Sequence, residues 1–236
     1  MNTDEKINVD DGGPKILKLS YHKTNEYNRD TEYWNDYYKN TPDEISEPSN
    51  FARDMIKYMK PYHHLLDLGC GNGRDSLFFL NNNLHVTGID AAKIPIRHLT
   101  NITKNNHFAE FVCDDFVKCR YIYQKSFDYI YSRFTLHAIS KQQENELFVN
   151  VAGGLKKGGK LFIEARTIHD DLYGRGHEVE PNAFFYNGHF RRFINPDDLR
   201  DNLEKLELHI KYIEENRGFS KDAHSNPVLV RIIAIK

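Results

Sequence analysis

A short apolar run followed by alternating glycines is the feature that most constrains this chain. The run from His64 to Leu68 has the length of a buried parallel strand, and glycines stand at positions 69, 71 and 73 directly after it. Clustered apolar residues from Asp75 onward predict a helix. Because glycine has no Cβ atom, the backbone can turn sharply and a ligand can lie against the amides that begin the helix. The sequence therefore predicts a nucleoside-binding turn; the alternative is that the glycines only punctuate a loop.

An acidic residue stands where such a turn needs one. The segment from Leu84 to Asp90 is predicted as the second strand, and its last carboxylate falls about 20 residues beyond the turn, where these folds bind ribose hydroxyls. A carboxylate there can accept two hydroxyl hydrogen bonds. The alternative is that Asp90 is the N-cap of a helix that begins after Ala91.

The glycine spacing departs from the dinucleotide fingerprint. That fingerprint needs a third glycine where this chain has Arg74, which weakens the prediction of a pyrophosphate ligand. A third strand is predicted from Phe108, and it ends in an acidic pair, Asp114 and Asp115, before the aromatic Phe116. A carboxylate suits an adenine amino group, and an aromatic ring suits a purine face. An adenosine-containing ligand is the prediction.

Together these motifs resemble the class I S-adenosylmethionine (SAM)-dependent methyltransferases, over about residues 49–166. The segment 127–133 resembles the family's fourth strand, and 155–164 its glycine turn into the fifth strand. The resemblance implies one α/β domain over residues 1–236, with a Rossmann-like seven-stranded, mostly parallel sheet, the last strand antiparallel, and helices on both faces. It implies SAM as the cofactor.

The resemblance also assigns roles. The first motif, whose loop lies along the methionine part of SAM, contains Asp67 and the glycines; Asp90 matches the ribose-binding acid and Asp115 the residue that meets the adenine amino group. The cofactor contacts expected in this sequence are Asp67, Gly69, Cys70, Gly71, Asn72, Arg74, Asp90, Ala91, Asp114, Asp115, Phe116, Ser132 and Arg133, with Ser49 and Phe51 added from the start of the helix before strand one.

Composition and net charge limit the classes of molecule that the chain is expected to bind. The formal net charge of −2 and the lack of a basic tail argue against a nucleic-acid partner, because that affinity rests on phosphate neutralisation. No apolar stretch is long enough for a membrane span, and the polar first residues are not a signal peptide, so we expect a cytoplasmic protein. Cys70, Cys113 and Cys119 have no metal-site spacing and are expected to be free thiols. We expect no metal, and a monomer or homodimer.

Two segments outside the core are predicted to cover the site. The first lies within residues 1–50, has Thr31 as a candidate helix N-cap, and carries an aromatic cluster that is either core or a lid whose Trp34 and Tyr38 touch the substrate. The second, residues 167–193, shows no helical or strand period and is predicted as a long substrate loop.

Arginines follow the predicted fifth strand. Guanidinium groups match carboxylates and phosphates bidentately, so these side chains can converge on an anionic acceptor. The alternative is a solvated face balanced by nearby acids. The candidates for substrate binding here are Arg166, Arg175, Arg191 and Arg192, beside His177 and His189. Further on, Asn195 is predicted as a helix N-cap, and 206–213 and 228–235 as the two last strands.

The need for a general base depends on the acceptor. A hydroxyl needs one, whereas a phosphate, carboxylate or thiolate already carries charge and needs only positioning. His137, after the fourth strand, is the first candidate because a neutral imidazole works near pH 7; the alternative is a structural histidine. His189 and Tyr186 are the further candidates.

Chains of this layout resemble tellurite-resistance and thiopurine methyltransferases and enzymes of surface polysaccharide biosynthesis. That resemblance, joined to the arginines, predicts O-methylation of a small anionic metabolite such as a sugar, phosphoester or carboxylate. Two alternatives are a catalytically silent SAM-binding partner module and an NAD-dependent oxidoreductase.

Overall fold

Helices and strands alternate through the first part of the computed structural model, which describes residues 33–40, 47–221 and 225–236. Most of the predicted N-terminal lid, including Thr31, lies outside these residues. The strands are β1 (His64–Leu68), β2 (His85–Asp90), β3 (Ala109–Cys113), β4 (Phe127–Arg133), β5 (Leu155–Arg166), β6 (His177–Glu180), β7 (Ala183–Tyr186), β8 (His189–Arg192), β9 (His209–Arg217) and β10 (Val228–Ile235). The helices are α1 (residues 33–40), α2 (Asn50–Met55), α3 (Arg74–Asn81), α4 (Lys93–Ile102), α5 (Tyr121–Gln124), α6 (Lys141–Gly154) and α7 (Pro196–Glu204), with 3₁₀ turns at Ile56–Tyr58 and Leu136–Ala138.

Seven strands form the main sheet, in the order β3-β2-β1-β4-β5-β10-β9. The pairs among β1 to β5 are parallel, and β10 runs antiparallel to both of its neighbours. The predicted Rossmann-like fold is thereby confirmed. Strands β1, β4 and β10 begin and end where they were predicted, and β9 starts three residues later than expected because a turn over 205–207 precedes it.

Two apolar layers hold the helices against the sheet. Side chains alternate between the faces of a strand, so Leu65 packs with α2 and α3 while Leu66 packs with α6 and α7. Both leucines are fully buried, and burial of such a side chain contributes about 1.5–3 kcal/mol. This arrangement fixes the carboxyl ends of β1 to β5 along one edge. Among the helices that the structure describes, none is both long and apolar enough to cross a membrane.

A second, three-stranded antiparallel sheet corrects the prediction for residues 167–193. We expected a long loop without regular structure, but β6, β7 and β8 lie in its second part. The strands have four residues each, which is too short for a visible period-two pattern. A usable signal was present: Asn187-Gly188, both at positive φ, is the turn pair typical of a two-residue hairpin loop.

A buried ion pair joins the second sheet to the rest of the domain. Arg192 is 4% exposed and donates to a carboxylate oxygen of Glu144 on α6, to Ile139 O at 2.8 Å and to Leu136 O at 3.2 Å. The Glu144 side chain is fully buried as well. Downstream, Asn195 accepts hydrogen bonds from the amides of Asp197 and Asp198, which confirms the predicted N-cap of α7.

Removal of the Glu144 carboxylate should destabilise the fold strongly. Glu144→Ala leaves a buried guanidinium without its counter-ion, which costs about 3–5 kcal/mol of unfolding free energy. Urea unfolding of this variant and of Glu146→Ala, an exposed position on the same helix, measures the difference. The control should stay within about 0.5 kcal/mol of the wild type. Equal losses in both variants would contradict the structural role of the pair.

Candidate active site

The glycine turn after β1 adopts a conformation that only glycine takes readily. Gly69, Gly71 and Gly73 all have positive φ angles, between 54° and 77°. A Cβ atom built on Gly69 would lie 2.4 Å from Thr135 Cγ2, and one on Gly71 would lie 2.2 Å from the hydroxyl of Tyr38. The missing side chains therefore make room in a crowded cleft, and the prediction of a tight turn at this position is confirmed.

Asp90 holds the turn from the neighbouring strand. Its Oδ2 accepts from the amide of Gly71 at 2.9 Å, and its Oδ1 accepts from the amide of Ala92 at 2.8 Å. Burial raises the pKa of this carboxyl, and the two backbone hydrogen bonds oppose the rise. The contact with Ala92 resembles the N-cap alternative, although α4 begins at Lys93. Each oxygen retains lone-pair capacity, so the ribose role stays a prediction compatible with this geometry.

Asp67 lies beneath the turn, and its carboxyl group is buried and has a raised pKa. It is 3% exposed, and its Oδ2 accepts from the hydroxyl of Ser76 at 2.6 Å. Burial raises the pKa of Asp67 to about 8; the Ser76 hydrogen bond opposes this rise, and nearby Asp75 and Asp90 add to it. A neutral carboxyl near pH 7 therefore supports the first strand end.

The residues predicted to meet the adenine group follow β3. Asp115 accepts from the amide of Val117 at 2.9 Å, and Asp114, which is exposed, accepts from the amide of Asp115 at 2.8 Å. A ring atom of Phe116 would lie 3.8 Å from a Cβ on Gly69, so that side chain faces the glycine turn. These positions fit an adenosine group, and the roles assigned to them stay predictions.

Other residues near the turn that were predicted to bind the cofactor form hydrogen bonds within the protein. Asn72 Oδ1 accepts from the amide of Arg74 at 3.4 Å, and Ala91 O accepts from the thiol of Cys113 at 3.6 Å. Cys70 is buried, and burial raises the pKa of its thiol well above the usual range, which excludes a thiolate near pH 7. All three cysteines are free thiols, as predicted.

Phe51 was wrongly predicted to contact the cofactor. Its side chain is fully buried and stacks on Tyr131 at a ring distance of 5.0 Å, so no ligand can reach it. Ser49 is 6% exposed; it caps α2 and donates from its hydroxyl to Asp75 at 2.8 Å, and its predicted contact with the cofactor stays a prediction. Tyr131 also donates to Asp75, at 2.8 Å. These side chains fasten α2 to α3 behind the cleft.

The end of β4 carries a residue that the sequence did not reveal. Phe134 has φ +59°, which is rare for a bulky side chain and occurs where surrounding structure enforces it. Its ring lies between two guanidinium groups, 4.1 Å from that of Arg133 and 5.9 Å from that of Arg166. Arg133 donates to Glu164 at 2.9 Å, and Ser132 is bonded to Thr135. Nothing in a single sequence signals a positive φ at phenylalanine.

His137 was predicted either as a general base or as a structural histidine, and its contacts are those of a structural histidine. Its Nδ1 lies 3.2 Å from Arg192 O, and its Nε2 accepts from the backbone amide of Arg166 at 3.2 Å. Burial lowers the pKa of this imidazole well below its usual value, and the charges of Arg166 and Arg191 lower it further. With both ring nitrogens engaged, the prediction of His137 as a general base was wrong.

Two of the four predicted arginines come together. Arg166 donates from Nη1 to both oxygens of Asp170, at 3.0 and 2.9 Å. Arg191 is partly buried, and burial followed by the charge of Arg166 lowers its pKa, while Tyr33 and Asp170 raise it. Across the described part of the chain, no carboxylate forms an ion pair with Arg191.

The other two arginines are placed elsewhere. Arg192 is buried against Glu144, as described above, so its predicted contact with substrate was wrong. Arg175 is exposed, and its charge lies near Asp171 rather than near Arg191. The sequence could not assign different roles to Arg191 and Arg192. Their side chains point in opposite directions because both residues lie on β8, and successive side chains of a strand alternate between its two faces.

Helix α1 spans the cleft from one subsite to the other. Asn35 accepts from the amide of Lys93 at 3.1 Å, beside the cofactor turn, and Tyr38 lies over Gly71. At the other end, Tyr33 stacks on His189 at a ring distance of 4.7 Å and Trp34 meets the same ring at 5.4 Å. The predicted contacts of Trp34 and Tyr38 with substrate stay predictions.

The reserve base candidates differ in environment. His189 is 8% exposed, beneath the aromatic residues of α1, whereas Tyr186 is 43% exposed at the tip of the β7–β8 hairpin. His177 is exposed on β6. The structure thus brings His189 and Arg191 to the cleft and leaves Tyr186 on the surface.

Part of the chain matches proteins that are already known. Residues 65–159 match a family model described as a methyltransferase domain. Over 126 residues the chain is 29% identical to carboxy-S-adenosyl-L-methionine synthase of Idiomarina loihiensis; the match covers 50% of this chain and spans half the length of that relative.

Solved structures share the fold. A SAM-dependent methyltransferase of Methanosarcina mazei superposes with a TM-score of 0.68 at 20% identity, covering 78% of this chain and 96% of that one. TehB of Haemophilus influenzae superposes with a TM-score of 0.61 at 19% identity, covering 78% and 61%.

Loss of the Asp90 carboxylate should weaken cofactor binding. Asp90→Ala removes the acceptor of two backbone hydrogen bonds and the predicted ribose acceptor, so the Kd of S-adenosylhomocysteine should rise roughly ten- to hundredfold. Titration calorimetry measures it, with Asp201→Ala, an exposed acid on α7, as the control. An unchanged Kd would refute the ribose role.

The buried Asp67 carboxyl should make stability fall with rising pH. Its pKa of about 8 in the folded protein lies above the unfolded value of 3.8, so between pH 4 and 8 the folded state binds the extra proton. Unfolding free energy should therefore fall by up to about 1.4 kcal/mol per pH unit over this range, because unfolding releases the proton. Asp67→Asn, which keeps the Ser76 contact, should flatten this slope in urea unfolding from pH 5 to 8. Identical slopes in both proteins would contradict the raised pKa.

Proposed function

We propose that this chain, in which residues 65–159 are a methyltransferase domain with SAM as cofactor, methylates an oxygen atom of a small anionic metabolite. The observation that carries the proposal is the pair Arg166 and Arg191, two neighbouring guanidinium groups of which one lacks a carboxylate partner among the described residues. Arg191 is partly buried, and a partly desolvated cation without a counter-ion is unfavourable, so we infer that the site binds an anion.

A continuous set of contacts leads from the cofactor turn to these arginines. Gly69 lies against Thr135, the next residue back along the chain is Phe134, and the Phe134 ring lies 5.9 Å from the Arg166 guanidinium. The carboxyl ends of β4 and β5 are adjacent in the sheet, which brings Arg133 opposite Glu164 and places Arg166 just beyond. An anion bound at Arg191 would therefore lie next to the end of β4.

SAM, when bound, supplies a methyl group that its positive sulfur has already activated. The residues of the chain have to bring the acceptor to that methyl group in line and exclude water. Helix α1 covers the cleft through Tyr38 on the cofactor side and Tyr33 on the acceptor side. With β8 packed beneath α1, the covered space suits a small molecule better than a macromolecular surface.

Other parts of the sequence-based prediction remain open proposals. A role in surface polysaccharide biosynthesis and a monomeric or homodimeric state rest on the resemblance alone. His189 stays the reserve candidate for a base, although Tyr33 covers its ring.

An acceptor screen tests the proposed function. We expect a methyl group from labelled SAM to appear on an anionic compound in a protein-free metabolite extract of the cells that encode the chain, with a mass gain of one methyl group. The extract is divided by anion exchange, and the neutral fraction is the control. Label in the neutral fraction alone would contradict an anionic acceptor, and transfer to nothing would support the silent SAM-binding module.

A further inference from the structure

We propose that the anionic group bound by Arg191 and Arg166 is itself the methyl acceptor, and that it is a carboxylate which the enzyme converts into a methyl ester. This inference rests on the proposed function and names the substrate class of the same site. An anion at this place could also serve only as an anchor for a hydroxyl that reacts elsewhere in the molecule. Three features of the described residues favour the carboxylate as nucleophile.

The first feature is the charge of the site. Arg166 and Arg191 carry two positive charges, and Asp170, held by Arg166, carries one negative charge. The neighbouring Arg133 is already paired with Glu164, and Arg231, which also contacts Glu164 at 2.7 Å, is paired with Asp54 at 2.7 Å, so these four groups balance one another. One positive charge is thus left for a ligand. A carboxylate supplies one negative charge, whereas a phosphate monoester carries about −1.5 to −2 near pH 7 and would leave an uncompensated buried charge.

The second feature is the geometry of the donors. Arg166 uses only Nη1 toward Asp170, and within the described residues its Nε and Nη2 atoms have no hydrogen-bond partner. That edge of a guanidinium is a planar fork that matches the two oxygens of a carboxylate. Asp170 is itself fixed by the amides of Leu172 and Val228, both at 3.0 Å, so Arg166 is held in one orientation.

The third feature is that the ionisable groups nearest this pair are poorly placed to act as a base. The His189 ring, the reserve candidate, is covered by Tyr33 at a ring distance of 4.7 Å and by Trp34 at 5.4 Å. Both ring nitrogens of His137 are engaged, and burial depresses its pKa. The carboxylates of Asp170 and Glu164 are each neutralised by arginine. Burial raises the pKa of Tyr38, with Asp90 adding to the effect, so its hydroxyl is not ionised near pH 7. A hydroxyl acceptor would have to lose a proton to one of these groups, whereas a carboxylate has no proton to lose.

The reaction then balances without proton transfer. A lone pair of the acceptor carboxylate oxygen forms the new C–O bond to the methyl carbon, while the C–S bond breaks and its electron pair stays on sulfur. The sulfonium becomes a neutral thioether and the carboxylate becomes a neutral methyl ester. Because the ester no longer pairs with Arg191, the product binds more weakly than the acceptor, which favours its release.

The fate of the transferred label in alkali tests this inference. After incubation with methyl-labelled SAM and the metabolite extract, mild alkali should release the label as volatile methanol, because methyl esters hydrolyse and methyl ethers, amines and thioethers do not. Alkali-stable label would overturn the carboxylate proposal and leave the proposed methyltransferase function intact. No label in any fraction would instead contradict the proposed function.

Matched variants connect the chemistry to the arginine. Arg191→Gln should lower the yield of alkali-labile label at least tenfold while the Kd of S-adenosylhomocysteine, measured by calorimetry, stays within twofold of the wild type. Arg200→Gln, an exposed arginine on α7 with surface ion pairs only, should change neither quantity. If Arg191→Gln weakens S-adenosylhomocysteine binding tenfold, the arginine holds the cofactor rather than the acceptor, and the inference fails.

Discussion

The buried ion pair between Arg192 and Glu144 is the interaction on which the acceptor side of this domain depends. A guanidinium that is 4% exposed must find its counter-ion and carbonyl acceptors inside the protein, and these lie on α6 and the 3₁₀ turn after β4. This requirement fixes the second sheet against the main sheet. Since successive side chains of a strand point to opposite faces, it also directs Arg191 away from the core and toward the cleft.

His137 shows how the same constraint shapes the chemistry. Its imidazole links the carbonyl of Arg192 with the backbone amide of Arg166, and so joins β8 to the end of β5. A histidine used in this way stays neutral and holds two strands in register, which removes it from catalysis. The proposed acceptor site consequently contains cations and aromatic rings, with the nearby carboxylates bound to arginine. Such a surface is suited to bind and orient an anion.

On the cofactor side, the sequence was a good guide because the relevant residues are close together along the chain. The glycine turn, the acidic end of β2 and the strand boundaries follow from local conformational preferences and from apolar runs that only a buried parallel strand explains. Long-range placement was less predictable. Phe51 belongs to the core, Phe134 has a positive φ angle, and residues 177–192 form short strands in place of the expected loop.

By itself the sequence determined the Rossmann-like sheet and the conformation of the turn after β1, and it carried the resemblance that implies SAM, because each depends on residue types at short fixed spacings. The tertiary structure decided which ionisable side chains are available. Arg166, Arg191, Arg192 and His137 look equivalent in the sequence, yet burial and partners from distant elements leave only the first two of these four in the proposed acceptor site. The physical reason is that the cost of a buried charge depends on its partners, and those partners are brought together only by folding.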